Sequence, residues 1–289
     1  MPGDGAPWYA GILACPDCGS AFHRVNARFS CHCGYSREFG RPLDLRPDTP
    51  RPRTLEWKLG STAAEELATA HVERPINSYQ GPRTSRDSSE LFSAIADRLR
   101  PGATFLDVGC GDRDQAAAAA HYGLQYVGVD DSSLHADLLA DVHAIPFASE
   151  SFDIVFSYAV LEHLYNPFLA VHEMARVMKP GGVLVAAVSQ GEPFHQSYFH
   201  HTAYGVLAVT KQAGLGVTRL WYSYDTLHGL AVMGRYPRVA RFLLETLHRL
   251  VQALPILAPR KMLRWSPRDR EIDALHRAAS ICFVAGKTE

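Results

Sequence analysis

The sequence predicts a doubly wound α/β domain, built on a mostly parallel sheet of seven strands, with a small cysteine-rich module in front of it. Apolar runs of strand length alternate with helical segments from about residue 104 onward, and continuous apolar strands of this kind indicate a sheet covered on both faces. Four of the six cysteines lie between Cys15 and Cys33, which sets the first segment apart. A chain of 289 residues is long enough for a full core and a smaller unit.

The predicted elements of the domain alternate between helices and strands. Ser88 opens an amphipathic helix that runs through Leu99 and is closed by Pro101. The predicted strands are apolar runs bounded by turn residues, and they cover 104–108, 124–129, 138–140, 152–158, 183–188, 217–224 and 281–285. Further helices are predicted over 63–71, 116–122, 161–178 and 202–213.

Composition divides the chain into three parts. Residues 1–47 form the cysteine-rich unit, and 48–87 form a linker and N-terminal cap whose proline-rich start indicates a stiff, extended connector. The α/β domain takes 88–289. Within it, a long helical stretch over 225–278 separates the last two strands and is predicted to be an insertion.

Charge and hydropathy argue against several classes of partner. The net charge is −1, with 29 Lys and Arg against 30 Asp and Glu, so nothing global indicates nucleic acid or membrane. The sequence has no run of 18 apolar residues, which argues against a spanning helix. Asp4 lies where a secretory signal would carry basic residues, so the expected compartment is the cytoplasm.

The clustered cysteines indicate a metal site. Cys15 and Cys18 form a C-x2-C pair, and Cys31 and Cys33 follow as C-x-C after twelve intervening residues. Two close pairs of thiolates are the ligand set of a closed, tetrahedral structural zinc site, so we expect a zinc ribbon. Replacement of one ligand by His32 and a redox dithiol are the alternatives.

A glycine-rich turn over residues 109–111 directly follows the first strand of the domain. It lies at the edge where open α/β sheets bind ligands. A nicotinamide dinucleotide would need a third glycine at position 114, which is Asp114. Asp107 and Asp112 flank the turn and would repel a pyrophosphate. A cofactor that carries an ammonium and a sulfonium, and no phosphate, suits the turn better.

A carboxylate ends the second strand of the domain. Asp130 at this position is able to accept two hydrogen bonds from a ribose diol, and Asp131 follows it. Taken alone, Asp130 is explained equally well as a helix N-cap. It is accompanied by three further motifs, 141–147, 151–153 and 158–163.

Together these motifs resemble the class I S-adenosylmethionine-dependent methyltransferase superfamily, in the branch with D-x-G-C-G, G-V-D, A-D-x-x-x-I/L-P-F, S-F-D, L-E-H and K/R-P-G-G. The resemblance covers about residues 88–289. It implies a Rossmann-like fold, S-adenosyl-L-methionine as cofactor and a methyl-transfer activity. It also implies the cofactor contacts: Asp107, Gly109 and Gly111 at the methionine part, Asp130 at the ribose with Asp131 beside it, Asp141 and the Val142 amide at the adenine, and the backbone around Tyr158 beneath the sulfonium.

Two features depart from the family's pattern. Arg113 occupies a position where many members keep a further glycine, which leaves the geometry of the loop open. The connection from Asp130 to Asp141 is too short for the usual helix. Part of the adenine wall is therefore expected to come from elsewhere in the chain.

Methyl transfer requires a general base only when the accepting atom must lose a proton. His163 is the first candidate because it follows the fourth strand, and orienting its loop is its alternative role. The loop after the fifth strand resembles a family segment over the acceptor pocket and supplies His195 and His201 as further candidates. Its histidines and aromatic residues suit an aromatic or sugar-like acceptor.

The insertion contains an amphipathic helix that starts at Arg238. Its apolar stripe is expected to pack on the core as a cover near the acceptor pocket. Basic residues outnumber acidic ones between Arg235 and Arg270, which permits an anionic acceptor or a weak membrane-surface contact. The stripe consists of Val239, Leu243, Leu247, Leu250 and Leu254.

The sequence therefore predicts S-adenosylmethionine-dependent methyl transfer to a small molecule, such as a secondary metabolite or a sugar-like acceptor. The first alternative is a ribosomal RNA methyltransferase, because zinc ribbons also precede such enzymes; the balanced charge argues against an RNA partner. The second is a protein of this fold that binds the cofactor and catalyses another reaction, such as ring closure.

Overall fold

Helices and strands alternate along most of the chain. The computed structural model describes residues 7–25, 28–38, 40–48, 72–191, 196–226, 237–253 and 267–287, together with Leu55, Ala70 and Leu230. The strands are β1 (His23–Val25), β2 (Arg28–Ser30), β3 (Ser36–Glu38), β4 (Leu43–Asp44), β5 (Thr104–Val108), β6 (Gln125–Asp130), β7 (Leu138–Leu139), β8 (Phe152–Tyr158), β9 (Met178–Ser189), β10 (Leu215–Tyr222) and β11 (Ser280–Lys287). The α-helices are α1 (Arg86–Ala94), α2 (Ala116–His121), α3 (Pro167–Val177), α4 (Ala203–Gln212), α5 (Arg238–Ala253) and α6 (Pro267–His276).

One eight-stranded sheet has the order β10-β11-β9-β8-β5-β6-β7-β4. The strands from β4 to β9 are parallel to their neighbours, whereas β11 is antiparallel to both β9 and β10. The predicted α/β fold class is confirmed, and the seven predicted strands are β5 to β11. From β5 the chain builds outward to β6 and β7 on one side, then to β8 and β9 on the other. Strand β5 is therefore the switch point at which such sheets bind ligands.

The two faces of the sheet bury different cores. On one face, Phe92 of α1 stacks on Phe105 and Phe156, with ring centroids 5.9 Å and 5.3 Å apart. On the other face, Leu106 and Val127 belong to a core that also includes residues of α3, α4 and the N-terminal segment. Successive side chains of a strand point to opposite faces, which produces this division. Both faces are covered, as the apolar strands predict.

The N-terminal segment forms a small antiparallel sheet, β1-β2-β3, and then joins the main sheet. Strand β4 pairs in parallel with β7, with Leu43 opposite Leu138. Leu13 forms an isolated bridge with Phe147, and the Ala148 amide donates to the Ile12 carbonyl at 2.8 Å. The eighth strand of the sheet thus comes from within residues 1–47, which the sequence assigns to a separate ribbon.

The short strand β7 leaves part of the β6 edge without a strand partner. Asp137 forms hydrogen bonds with both backbone polar groups of Gly128 at this edge. Its carboxylate accepts a hydrogen bond from the Gly128 amide at 2.9 Å, and its own amide donates to the Gly128 carbonyl at 3.0 Å. The Trp8 indole donates to the Tyr126 carbonyl at 3.0 Å. No helix lies between Asp130 and β7, as the short connection predicts. Side chains satisfy the polar groups that a longer strand would have paired.

Two predicted helices differ from the structure. The segment predicted as one helix over 161–178 is a 3-10 turn at Leu161–His163 followed by α3. The break occurs because the Asn166 side chain caps α3 by accepting the Leu169 amide, and a proline takes the first turn. The helix predicted to end at Leu99 ends at Ala94 and continues only as a 3-10 turn. The helix predicted over 63–71 lies outside the described residues except for Ala70.

The insertion over 225–278 contributes α5 and α6, and a bridge between Asp225 and Ala278 closes its base. The expectation that α5 packs its apolar stripe on the core is wrong for the described part of the stripe. Val239, Leu243, Leu247 and Leu250 are all exposed, and Leu254 lies outside the described residues. Within the part of the chain that the structure describes, no helix is long and apolar enough to cross a membrane.

Candidate functional site

Three strand ends meet around the glycine turn at the switch point. The amides of Gly109 and Cys110 donate to the Val129 carbonyl of β6 at 2.8 Å and 3.0 Å. The Gly111 amide donates to Asp130 Oδ2 at 3.0 Å. These bonds attach the end of β5 to the end of β6, at the carboxyl edge where the sequence places a cofactor.

The third strand end reaches the turn through Val160, just after β8. Gly109 has a φ of +70°, and a Cβ built on it would lie 2.4 Å from Val160 Cγ2. Only glycine fits such a close approach in the left-handed region. Ala159 has a φ of +54°, and its amide donates to the Ala187 carbonyl at 3.0 Å. The backbone therefore turns sharply just past Tyr158, and Tyr158 itself is half-buried.

Asp130 is held by backbone amides. Its Oδ1 accepts the Ser132 amide at 3.0 Å and the Ser133 amide at 2.8 Å, while Oδ2 accepts Gly111. Burial raises the pKa of its carboxyl, but the amides of Ser133, Ser132 and Gly111 outweigh burial, so the pKa is below its ordinary value. Asp130 is thus an oriented, ionised carboxylate at the strand end. The neighbouring Asp131 is exposed.

Asp107 is in a very different environment, beneath the turn. It is buried, and Tyr126 Oη donates to its Oδ2 at 2.9 Å. Burial raises the pKa of Asp107 to about 7, against the hydrogen bond from Tyr126, and the charges of Asp114 and Asp130 raise it further. The carboxyl therefore titrates near neutral pH.

Arg113, where the family often has glycine, adopts a φ of 65°. Its guanidinium forms an ion pair with Asp137 and lies 5.0 Å from the centre of the Tyr126 ring. These contacts hold an arginine in a conformation that usually favours glycine. Arg113 therefore completes the turn by linking it to the residue that closes the β6 edge.

Asp141 lies two residues beyond the end of β7, at the predicted adenine side. Its Oδ1 accepts the His143 amide at 2.9 Å and lies 2.7 Å from the His143 ring nitrogen Nδ1. The His143 ring stacks on Tyr165, with centroids 4.0 Å apart. Asp141 thereby caps a short 3-10 helix, Val142–Ala144, and fixes the position of the Val142 segment.

The three predicted base candidates have different environments. His163 is exposed, and its Nδ1 donates to the Gln196 carbonyl at 2.6 Å. His201 is buried; burial and the neighbouring His200 lower its pKa to about 4, so it stays neutral at ordinary pH. His195 lies outside the described residues. Of the two described histidines, His163 is the one that solvent or a ligand can reach.

Sequence reasoning did not select Glu162, which organises the loop after β9. The side chain is fully buried, and its Oε1 accepts the Ser189 amide at 3.2 Å. Its backbone carbonyl accepts the amides of Tyr198 at 2.8 Å and Phe199 at 3.1 Å. With the contact from His163, the L-E-H motif holds this loop against the end of β8. A glutamate between the apolar residue Leu161 and His163, directly after a buried strand, is the signal that could have indicated such a role.

The four cysteines of the N-terminal segment form one cluster. The Cys15 and Cys33 sulfurs are 3.6 Å apart, the Cys18 and Cys31 sulfurs are 3.3 Å apart, and all four lie within 4.8 Å of one another. Thiolates at about 2.3 Å from a tetrahedral zinc ion would be about 3.8 Å apart. The spacing of the four sulfurs thus fits the geometry of a bound metal ion.

Two similar turns bring the cysteine pairs together. The Gly19 amide donates to the Cys15 carbonyl at 2.7 Å, and the Gly34 amide donates to the Cys31 carbonyl at 3.0 Å. Both glycines have a positive φ, as a tight turn of this kind requires. His32 is not a member of the cluster that the described residues form.

The region that contains the glycine turn and Asp130 matches known proteins. A family model described as a methyltransferase domain matches residues 106–186, from within β5 to within β9. This region of the chain is therefore similar to a methyltransferase domain, and it includes Asp107, Gly109, Asp130 and Asp141.

Curated relatives of this region are uncharacterized methyltransferases. One from Mycobacterium sp. (strain JLS) is 37% identical over 108 residues, which are 34% of this chain and 43% of the relative. One from Mycobacterium marinum is 34% identical over 141 residues, covering 43% of this chain and 55% of the relative. The match thus spans about half the length of these relatives.

Solved structures that match the chain have low sequence identity. The cyclase SpnF is 18% identical, with 78% of this chain and 91% of that chain covered and a TM-score of 0.45. Phosphoethanolamine N-methyltransferase 2 of Haemonchus contortus, in complex with S-adenosyl-L-methionine, is 20% identical, with 68% and 52% covered and a TM-score of 0.40.

Replacing Gly109 with alanine should destabilise the turn. The new methyl group would meet Val160 at 2.4 Å with a φ of +70°, so we expect the free energy of unfolding to fall by about 2–4 kcal/mol. Gly111→Ala is the matched control, because a Cβ there meets no atom within 4 Å and only the strain of its φ remains, about 1 kcal/mol. Urea denaturation measures both, and equal losses would contradict the proposed packing role of Gly109.

Replacing Asp107 with asparagine should stabilise the cofactor-free protein at alkaline pH. The folded-state pKa lies near 7, above the ordinary value of 3.8, so the wild type loses stability as the pH rises through this window. The neutral amide removes that loss. The free energy of unfolding of Asp107→Asn, relative to that of the wild type, should therefore increase by about 2–3 kcal/mol between about pH 5 and about pH 8. Tyr126→Phe removes the bond that favours the carboxylate and should steepen the loss. A stability difference between variant and wild type that does not change with pH would contradict a raised pKa of Asp107 in the folded protein.

Purified protein should contain about one zinc ion per chain, and Cys15→Ser should lower that content. Metal analysis measures the content, and thermal unfolding should show a lower midpoint for this variant. Cys282→Ala is the control, because Cys282 is buried in β11, outside the cluster, and should leave the metal unchanged. Wild-type protein that is purified and refolded with zinc and yet carries no metal would contradict this prediction.

Proposed function

We propose that the protein transfers a methyl group from S-adenosyl-L-methionine to a small-molecule acceptor. The observation that carries the proposal is the convergence of the glycine turn, Asp130 and the end of β8 at the switch point, inside the region that matches a methyltransferase domain. The carboxylates of Asp107 and Asp130 lie at this edge, and the nearby guanidinium groups of Arg113 and Arg46 are paired with Asp137 and Asp44. That charge suits a cationic cofactor.

The residues fit this cofactor by charge and by hydrogen-bonding capacity. In the proposal, Asp130 binds the ribose hydroxyls through the acceptor capacity that its three amide bonds leave, with Asp131 at the same end. The ammonium group lies near the glycine turn at Gly109 and Gly111, where the charge of Asp107 favours it. A bound cation would lower the pKa of Asp107 from about 7, so affinity should weaken in acid.

The adenine end is assigned to the segment after β7. In the proposal, Asp141 and the Val142 amide face the ring edge, while the backbone around Tyr158 passes beneath the sulfonium. Arg46 of the N-terminal segment contacts the ribose end instead, because its guanidinium donates to the Asp131 carbonyl at 3.2 Å and pairs with Asp44.

The cofactor supplies an electrophilic methyl group, and the protein has to align the acceptor with it. Where the acceptor must lose a proton, His163 is the proposed base. Its Nδ1 donates to the Gln196 carbonyl, which leaves Nε2 as the nitrogen that accepts a proton in the neutral ring. His201, with a pKa of about 4, is a weak base and is assigned to the structure of the loop. His195 stays a candidate from the sequence alone.

A structural role for zinc is part of the proposal. The cysteine cluster lies in a segment that shares a core with the sheet, and Cys15 and Cys31 are themselves buried in that core. When bound, zinc would hold the two turns together, and the four thiolates would leave no open position for catalysis.

The proposal of a small, planar or sugar-like acceptor is supported by the aromatic residues of the loop after β9 and by the balanced charge of the chain. Tyr198 and Phe199, which the Glu162 carbonyl holds in place, are exposed aromatic residues next to the cofactor edge. Aromatic side chains of this kind suit a planar or sugar-like molecule. The balanced charge of the chain gives little attraction for RNA.

One experiment separates the proposal from its alternatives. Cofactor labelled in its methyl group is incubated with the protein and with fractionated extract of the source cells. Label in the small-molecule fraction would support the proposal and yield the acceptor for identification. Label in the RNA fraction would replace it with an RNA methyltransferase. Tight cofactor binding without any labelled product in all fractions would favour non-methyl chemistry, such as ring closure.

Asp130→Ala should weaken the binding of S-adenosyl-L-methionine. The loss of charge-assisted hydrogen bonds is expected to raise Kd by roughly ten- to a hundredfold, about 1.5–3 kcal/mol. Calorimetry measures the change. Asp97→Ala is the control, since Asp97 is an exposed carboxylate on the 3-10 turn after α1. Unchanged affinity in Asp130→Ala would refute its role at the ribose.

His163→Ala should lower turnover by about 10²–10⁴-fold if the histidine is the base, with little change in cofactor affinity. The measurements are kcat with the identified acceptor and Kd for the cofactor. His172→Ala, an exposed residue of α3, is the matched control and should change neither. A parallel loss of affinity and turnover would make His163 a residue that only holds the loop in place.

A further inference from the structure

Helix α5 presents an unusually apolar surface to solvent. Five large apolar side chains, Val239, Phe242, Leu243, Leu247 and Leu250, are between 49% and 71% exposed. Their spacing of three, one, four and three residues places them on one face of the helix. A single exposed apolar residue is ordinary, but a continuous row of five marks a contact surface.

The charge around this face is strongly basic, in contrast to the rest of the chain. Between Arg235 and Trp265 the sequence has seven Arg and Lys residues and a single acidic residue, Glu245, whereas the whole chain has 29 basic against 30 acidic residues. Arg238 and Arg241 of α5 are exposed. Three of the seven basic residues, Arg238, Arg241 and Arg249, belong to α5 itself.

An apolar face with arginines on the polar side of the same helix is the pattern of a helix that lies in a membrane interface. The 16 residues of α5 extend about 24 Å, and its arginines prevent it from crossing a bilayer. We propose that α5 lies in the plane of an anionic lipid surface. The apolar row enters the boundary between headgroups and acyl chains, and the arginines contact anionic headgroups.

Charge complementarity selects the lipid surface among the possible occupants. The apolar row alone would also suit a second copy of the chain, but two copies would bring like charges together, since seven of the eight charged residues in this stretch are basic. Anionic lipids attract each basic residue near the surface. The helix would thereby tether the α/β domain to the membrane. This inference is independent of methyl transfer, so either proposal can fail without the other.

Vesicle flotation of the full-length protein tests the inference. The protein is mixed with vesicles of phosphatidylcholine alone or with vesicles that contain phosphatidylglycerol in about equal amount. We expect binding to the anionic vesicles that falls with added salt. The double variant Leu243→Gln/Leu247→Gln should lose at least about tenfold in partitioning. Arg238→Gln and Arg241→Gln should each lose about fivefold on anionic vesicles.

A matched control distinguishes vesicle binding through α5 from nonspecific adsorption of the protein. Ile76→Gln replaces an apolar residue that is 90% exposed outside α5, and it should keep full binding. Thermal unfolding should be unchanged in all variants, because the replaced side chains face solvent. Absence of binding to anionic vesicles would overturn the inference, as would binding that the α5 variants do not reduce. Concentration-dependent dimers that Leu243→Gln/Leu247→Gln abolishes, without vesicle binding, would assign the face to a second copy.

Discussion

The close approach of Gly109 to Val160 is the constraint around which the candidate site is organised. No side chain fits between the glycine turn and the chain beyond β8, and the amides of the same turn are bonded to the end of β6. The turn is therefore fixed on both sides, and two carboxylates near it are held at set positions. Asp130 receives three amide hydrogen bonds and stays ionised, whereas Asp107 lies buried below and titrates near neutral pH. Environment, not residue type, gives the two carboxylates different behaviour.

The outer edge of the sheet shows how a short connection is accommodated. With no helix between β6 and β7, the exposed backbone of β6 is satisfied by the Asp137 carboxylate and the Trp8 indole. Arg113 pairs with Asp137, so the same residue that closes the edge also anchors the turn beside Asp130. The N-terminal segment and the cofactor edge are thus parts of one packed structure, linked again by the contact of Arg46 with Asp131.

Local patterns explain what could be predicted from the sequence. Strand β5 and its glycine turn are signalled by adjacent residues, as are the paired cysteines, and the structure confirms the predicted fold class and brings the four sulfurs together. Strand β4 was missed because two residues carry no periodicity and their partner, Leu138, is 95 positions away from Leu43. The left-handed Arg113 depends on contacts with Tyr126 and Asp137 that only the folded chain forms. The exposure of α5 also escaped prediction, because amphipathicity identifies an apolar face without identifying what covers it.

The pairing of β4 with β7 has a consequence for the order in which the protein is made. The backbone hydrogen bonds of the cysteine turns and the pairing of β1, β2 and β3 lie within the first 38 residues, so they are able to form while the rest of the chain is still on the ribosome. Leu43 cannot pair until Leu138 has been synthesised, and until then the backbone of the β4 segment has no strand partner. At the roughly 5–20 residues per second of translation, this delay lasts several seconds or more. Chaperones that bind nascent chains would meet the protein in this interval.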